Sequence, residues 1–169
     1  AVATTSLAAI SFLAIPTGGD ARDYLARLRS IQGLDALCDQ AGRFENRDRC
    51  SVTGSSRPIV VWGDSFAMHW VPGLAASGAS VIQATKQTCA PIAAYALLAM
   101  PQQPRAWAED CLAFNADVLA FLKAESARVD TVALASVWSY LFGHAAPSAD
   151  GAVVALDRAA LRSALVKHI

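Results

Sequence analysis

A serine at the end of a short apolar run is the residue of this chain best placed to do chemistry. Ile59 to Trp62 are apolar without a break, Gly63, Asp64 and Ser65 follow, and a second apolar segment opens directly after them. A run of this length that stops at Gly-Asp-Ser reads as a buried parallel strand entering a tight turn. Ligands of open α/β sheets bind outside the carboxyl ends of such strands. A serine that opens a helix there has backbone N–H groups around it and the positive end of the helix dipole beneath it. Gly63, Asp64 and Ser65 are therefore the candidate turn. Ser65 is the candidate nucleophile, and its own N–H is a candidate donor to an oxyanion. Asp64 orders the turn rather than acting as an acid, because adjacent residues do not face one another. The competing reading of Ser65 is a helix cap, a role in which serine is strongly favoured.

A serine nucleophile needs a base, and the chain holds three histidines. His69 lies four residues past Ser65, about one turn along the same helix face. It is a candidate for lining the site, against the plainer reading of a half-buried histidine bonded to backbone. His144, in Phe142-Gly143-His144, falls in a loop near the presumed active edge, against the plainer reading of a surface histidine. His168 is expected at the surface. Thr85 and Trp138 are the other two residues that the order of elements brings to that edge.

The elements that must position these groups follow in order. A helix runs from the Ser65 turn to about Ala76 and ends at Gly78. Ser80 to Ala84 is a second strand. Thr85 to Pro104 is a long connection with Pro91, Pro101 and Pro104. Such connections are more often functional than idle. Glu109 or Asp110 begins a helix to about Ala127, whose apolar face is Cys111, Phe114, Val118, Phe121 and Leu122. Thr131 to Ser136 is a third strand, Pro147 to Gly151 a turn, and Leu156 to Val166 a last amphipathic helix. Strand and helix in alternation predict an α/β fold: a three-layer α/β/α arrangement on a parallel sheet, flavodoxin-like. Right-handed crossovers put the loops after Trp62, Ala84 and Ser136 on one edge. The Ser65 turn, the Cys89 loop and Trp138 are expected to meet there.

Upstream, residues 1–19 form an uncharged apolar stretch broken by Pro16-Thr17-Gly18-Gly19. Ala1 to Ile15 is shorter than the roughly 20 residues that span a bilayer and lacks the basic flank of a signal peptide. The last turns of a membrane helix, a linker and a buried strand all fit it. Residues 20–57 read as a helical extension, capped by Asp20 or Asp23 and running through about Leu37, followed by a polar loop from Cys38 to Arg57. Residues 58–169 are the α/β domain.

Fourteen basic and fourteen acidic residues give no net charge, and the basic residues form no patch. Nothing in this balance suggests nucleic acid or an acidic surface as partner. Of 169 residues, 54% are hydrophobic and 17% charged, enough apolar material for one domain with a substantial core. Cys38, Cys50, Cys89 and Cys111 include no Cys-x-x-Cys, and no histidine stands at ligand spacing from them, so no metal is expected. Two sequence-local pairs, Cys38–Cys50 and Cys89–Cys111, each close a modest loop beside a predicted helix, as disulfides of an oxidising compartment do. Three connectivities are possible, and four buried thiols are the alternative.

Gly63-Asp64-Ser65-x-Ala67 after an apolar strand resembles the first block of the SGNH/GDSL hydrolase superfamily. An ordered series narrows the resemblance. Leu37-Cys38 with Cys50, Val61 to His69, Thr85 to Pro91, Cys111-Leu112-Ala113-Phe114-Asn115 and Val132 to Trp138 follow one another as in the periplasmic SGNH domain fused to acyltransferase-3 proteins. Those proteins O-acetylate lipopolysaccharide O-antigen and other surface glycans. The resemblance covers Leu37 to Trp138. It implies Ser65 as nucleophile, no cofactor, an acyl donor delivered by a membrane acyltransferase domain, a carbohydrate acceptor, and a periplasmic location tethered to the inner membrane. A plain carbohydrate esterase and a non-catalytic module supporting a membrane acyltransferase are the alternatives. Three features depart from the pattern. Phe66 stands where this branch commonly has His. No asparagine follows the third strand in Ala135-Ser136-Val137-Trp138, leaving the second oxyanion donor unassigned. The family's Asp-x-x-His near the C-terminal end occurs nowhere in residues 1–169. The expectation is a C-terminally incomplete domain, inactive or nearly so by itself.

Overall fold

The computed structural model describes residues 32–99, 101–141, 145–147 and 157–168. Its centre is β2 (Ile59–Gly63), the apolar run of the sequence. Alternation along β2 decides the layers, because successive side chains point to opposite faces. Ile59 and Val61 face one layer with Ala67, Val71 and Leu74 of α1 (Ser65–Ala76). Val60 and Trp62 face the other layer with Phe114 and Val118 of α2 (Arg105–Ala124). Both faces of the strand are thus covered, which is why its sequence shows no polar break.

β2 pairs in parallel with β3 (Val81–Thr85) on one side and with β5 (Thr131–Ala135) on the other. Gly63 stands opposite both Thr85 and Ala135 at the carboxyl edge. The chain leaves β2 toward β3 and then crosses back past β2 to β5. The end of β2 is therefore the topological switch point, where open α/β sheets bind ligands. The three-layer α/β/α expectation holds.

The outer edge of β3 is covered by the Cys38–Cys50 loop. β1 (Ser51–Val52) lies antiparallel to the start of β3, so the order is β1-β3-β2-β5. At the other end Asp39 bridges to Thr85 in parallel, and Gln40 N–H donates to the Thr85 carbonyl at 3.1 Å. Covering an edge in this way removes unpaired backbone groups that would otherwise invite pairing with another chain. The sequence reading of 38–57 as loop alone missed β1, a two-residue strand too short to show alternation.

Other boundaries differ too. The expected helix through Leu37 is not present in its described part. Gln32 to Leu34 turn, and Ala36–Cys38 form one 3-10 turn capped by the Asp35 carboxylate. Gly33 causes this: its φ of 88° leaves the helical region, and a Cβ would sit 2.2 Å from Gln83 Oε1. Residues 20–31 lie outside the described residues. α2 starts at Arg105, directly after Pro104, four residues before the expected acidic cap. The long connection contains β4 (Tyr95–Leu97), which pairs antiparallel with β6 (Ala145–Pro147), where a turn was expected to begin at Pro147. The last helix, α3 (Arg158–His168), opens after Asp157, whose carboxylate accepts from Ala160 N–H at 2.7 Å.

Both sequence-local cystines form, with all four half-cystines buried. They span 12 and 22 residues, loops whose closure stabilises the fold by about 3 kcal/mol each on chain-entropy grounds.

Candidate active site

The turn after β2 is built by Gly63 and Asp64. Gly63 has φ 156°, and a Cβ there would lie 1.9 Å from the Ala135 carbonyl oxygen. Only glycine lets the strand end approach β5 so closely. Asp64 is the N-cap of α1: its Oδ1 accepts from Phe66 N–H at 2.9 Å. Its Oδ2 accepts from Ser136 Oγ at 2.7 Å and from Val137 N–H at 2.9 Å. Asp64 N–H donates to the Ala135 carbonyl at 3.3 Å. One buried carboxylate therefore ties the Ser65 turn to the loop after β5. Asp64 orders the turn, as its sequence position suggests.

Ser65 is the first residue of α1 and half-buried. Ala67 and Met68 N–H groups donate to the Asp64 carbonyl, and Phe66 N–H is capped by the carboxylate. The Ser65 N–H is the first-turn donor left without a partner among the described residues. That is the geometry of an oxyanion donor beside its own nucleophile.

Ser65 opens into a cavity of about 140 Å³ lined by Gln32, Asp39, Ser65, Met68, His69 and Gln87. His69 is exposed at its rim. Asp39, absent from the sequence reading, reaches this wall from the disulfide loop, where its Oδ1 accepts from Gln87 N–H at 2.8 Å. Its place follows from the edge pairing with β3, which leaves no local signature.

Three residues at the end of β3 fix that loop. Gln83 Nε2 donates to the Gln32 carbonyl at 2.6 Å and to Thr85 Oγ1 at 2.8 Å, and Gln83 Oε1 accepts from Leu34 N–H at 2.9 Å. Thr85 Oγ1 donates to the Cys38 carbonyl at 3.0 Å. The Lys86 ammonium donates to the Gln40 carbonyl at 3.3 Å and to that of Ala41. Burial lowers the Lys86 pKa from its ordinary value of 10.5, with Asp110 and Asp39 opposing. Thr85 is therefore placed behind the cavity wall as an anchor, fully buried, rather than among the residues that line the cavity.

The loop after β3 is pinned from the other layer. Cys89 is bonded to Cys111 of α2, and one turn on, Asn115 Nδ2 donates to the carbonyls of Ala90 and Ile92 at 2.8 and 3.0 Å. Asn115 Oδ1 accepts from Trp62 Nε1 at 2.9 Å. This buried amide joins the strand that ends in the serine turn, the loop and the helix, with each polar atom satisfied. The sequence showed the Cys111-to-Asn115 segment without revealing this role.

Trp138 is half-buried in a separate cluster with Ala90, Ile92, Leu141 and Leu161, and is not among the residues lining the Ser65 cavity. His144 lies outside the described residues. Of the expected residues, the structure brings together Gly63, Asp64, Ser65 and His69. No described side chain is hydrogen-bonded to Ser65 Oγ. Among the described residues, no group of three or more His, Cys, Asp or Glu converges as a metal site.

A family model for the SGNH domain fused to AT3 (acyltransferase-3) domains matches residues 37–169. The chain belongs to this SGNH family. No curated protein and no solved structure matches it. The match takes in the cystine loop as well as the α/β core, and so includes Asp39. The SGNH domain is thus a hydrolase-like module of a kind that accompanies membrane acyltransferases. Its two disulfides fit an extracytoplasmic setting. No helix among the described residues is long and apolar enough to cross a membrane.

Proposed function

We propose that this SGNH domain is an O-acetyltransferase acting on a cell-surface polysaccharide such as lipopolysaccharide O-antigen. Ser65 Oγ takes the acetyl group from a donor delivered by a membrane acyltransferase domain. The base that takes the Ser65 Oγ proton passes it to the donor's leaving group, which departs protonated. The acyl-enzyme then gives the acetyl group to a sugar hydroxyl, whose proton the same base takes and returns to Ser65 Oγ. The Ser65 N–H stabilises the oxyanion of each tetrahedral intermediate. The domain works outside the cytoplasm, tethered to the inner membrane. Gly63, Asp64 and Ser65 form the turn and oxyanion side of the site, and His69 lines it, with His144 a further candidate. The observation that carries this reading is the placement of Ser65: at the switch point, first in its helix, with an N–H that has no partner among the described residues and a cavity before it.

Fluorophosphonate labelling of the full-length protein tests it. We expect one labelled serine and complete loss of label in Ser65→Ala. Absence of label, or label unchanged by Ser65→Ala, overturns the nucleophile. That Ser65 Oγ has no hydrogen-bond partner among the described residues favours a second reading, a non-catalytic module that supports a membrane acyltransferase, and absence of label would support that one.

A further inference from the structure

The outward face of α1 has an unusual composition. Phe66, His69, Trp70 and Gly73 fall at i, i+3, i+4 and i+7, and all four are exposed. Phe66 is 52% and Trp70 55% accessible, although large aromatics ordinarily seek cover. No residue of α1 carries a formal charge at neutral pH with histidine neutral. A surface helix normally turns charged side chains to water. The buried stripe of α1, Ala67, Met68 and Val71, is a different set, so the aromatic face is surplus to the core. Phe66 and His69 rings lie 6.4 Å apart, and Gly73 leaves open space beyond them. The result is a shallow aromatic surface that begins one residue after Ser65 and runs into its cavity.

We propose that this face, Phe66 with Trp70 and the His69 edge between them, is the platform on which a sugar ring of the acceptor lies. The proposal rests on the acyl-transfer reading and assigns its acceptor subsite. A pyranose presents C–H bonds on its faces and hydroxyls around its rim. The C–H face suits the negative face of an aromatic ring, and the rim suits the imidazole and the Asp39 and Gln87 groups in the cavity. Trp70 lies five residues past Ser65, about 7.5 Å along the helix axis. A short stretch of polysaccharide on this face therefore reaches the serine. A bilayer surface suits the face less well, because helices that lie on membranes carry lysine and arginine on their polar side. A buried protein interface suits it less well too, because within α1 no aliphatic side chain larger than alanine is exposed beside the rings.

The test measures binding rather than turnover. The full-length protein is run by affinity electrophoresis through gels containing de-O-acylated surface polysaccharide from the producing cells. The unaltered protein should be retarded. The Phe66→Ala/Trp70→Ala variant should show a dissociation constant raised about tenfold, with Trp70→Phe restoring most of the retardation and an unchanged melting temperature showing that the fold is intact. Val132→Ser, at an exposed apolar residue near the amino end of β5, should migrate like the unaltered protein. Equal retardation of the double variant overturns the platform. So does an unretarded parent protein. Fluorophosphonate labelling of the parent separates this failure from failure of the nucleophile: labelled but unretarded removes the platform alone, retarded but unlabelled removes the nucleophile alone.

Discussion

At the carboxyl end of the sheet, Ser65 opens into a cavity of about 140 Å³. At the amino end, a cavity of about 410 Å³ lies among Pro58, Ile82, Phe121 and the Glu125–Val129 turn. The larger space is the poorer candidate for chemistry, and hydrogen bonding explains why. Around it the polar groups are already committed: the Arg57 guanidinium donates to the carbonyls of Ala127, Arg128 and Val129, and Arg128 pairs with Glu125 at 3.2 Å. Around the smaller cavity, the N–H and Oγ of Ser65 are uncommitted among the described residues. The loops that carry Asp39 and Gln87 to its wall are anchored nearby, by Lys86 at Gln40 and Ala41 and by Asn115 at Ala90 and Ile92. Volume alone does not locate a site; uncommitted groups on a firmly supported turn do.

The largest effect should come from Asp64, the residue that joins the turn to β5. Asp64→Ala removes the helix cap, a loss of about 1 kcal/mol, and leaves Val137 N–H and Ser136 Oγ without their acceptor. Ser65 then loses its fixed position, and misplacement of about an ångström costs on the order of a hundredfold in rate. We expect fluorophosphonate labelling to slow by that factor at a temperature where circular dichroism shows a folded chain. A labelling rate within threefold of the parent's would show that Gly63 and the sheet alone position the serine.

The next effect separates support of the loop from stability of the whole. Replacing Cys89 and Cys111 together by alanine removes a cystine spanning 22 residues. The expected loss is about 3 kcal/mol, a fall in melting temperature of about 10 °C for a chain of this size. Asn115 still holds Ala90 and Ile92, so the folded variant should label at a rate close to the parent's. A melting temperature that stays put would mean that the cystine constrains little that the Asn115 network does not.

What could be read from the sequence shares one property: the signal is local. The Ser65–Ala76 helix is bounded by Gly-Asp-Ser before it and a glycine after it, and both boundaries agree with the structure. The apolar runs of β2 and β3 needed no tertiary information, nor did the two cystines, whose partners are near in sequence. Asp39 was illegible because its role comes from an edge pairing with Thr85, 46 residues away, in a segment whose alternating charges resemble any solvated loop. The Asn115 to Trp62 bond spans 53 residues and is equally silent. The early start of α2 shows another limit. Apolar periodicity fixed its face but not its first turn, because Pro104 opens the helix with no side-chain cap to mark it.

The smallest effect belongs to the amino end, and it is the one that most sharpens the contrast between the two cavities. Arg57 is exposed, and its three hydrogen bonds run to backbone carbonyls of the turn between α2 and β5. Water can replace much of what the guanidinium supplies there, so Arg57→Ala should cost only about 1 kcal/mol. The turn it ties down feeds the start of β5, whereas Asp64 grips the chain just past that strand's other end. Five residues of parallel pairing with β2 separate the two. Local loosening at Thr131 should therefore not reach Ala135. Labelling of Ser65 in Arg57→Ala should match the parent within experimental error while urea unfolding reports the small loss. A labelling rate that falls tenfold with stability nearly unchanged would show that the two ends of the sheet are coupled, and that the larger cavity bears on the chemistry after all.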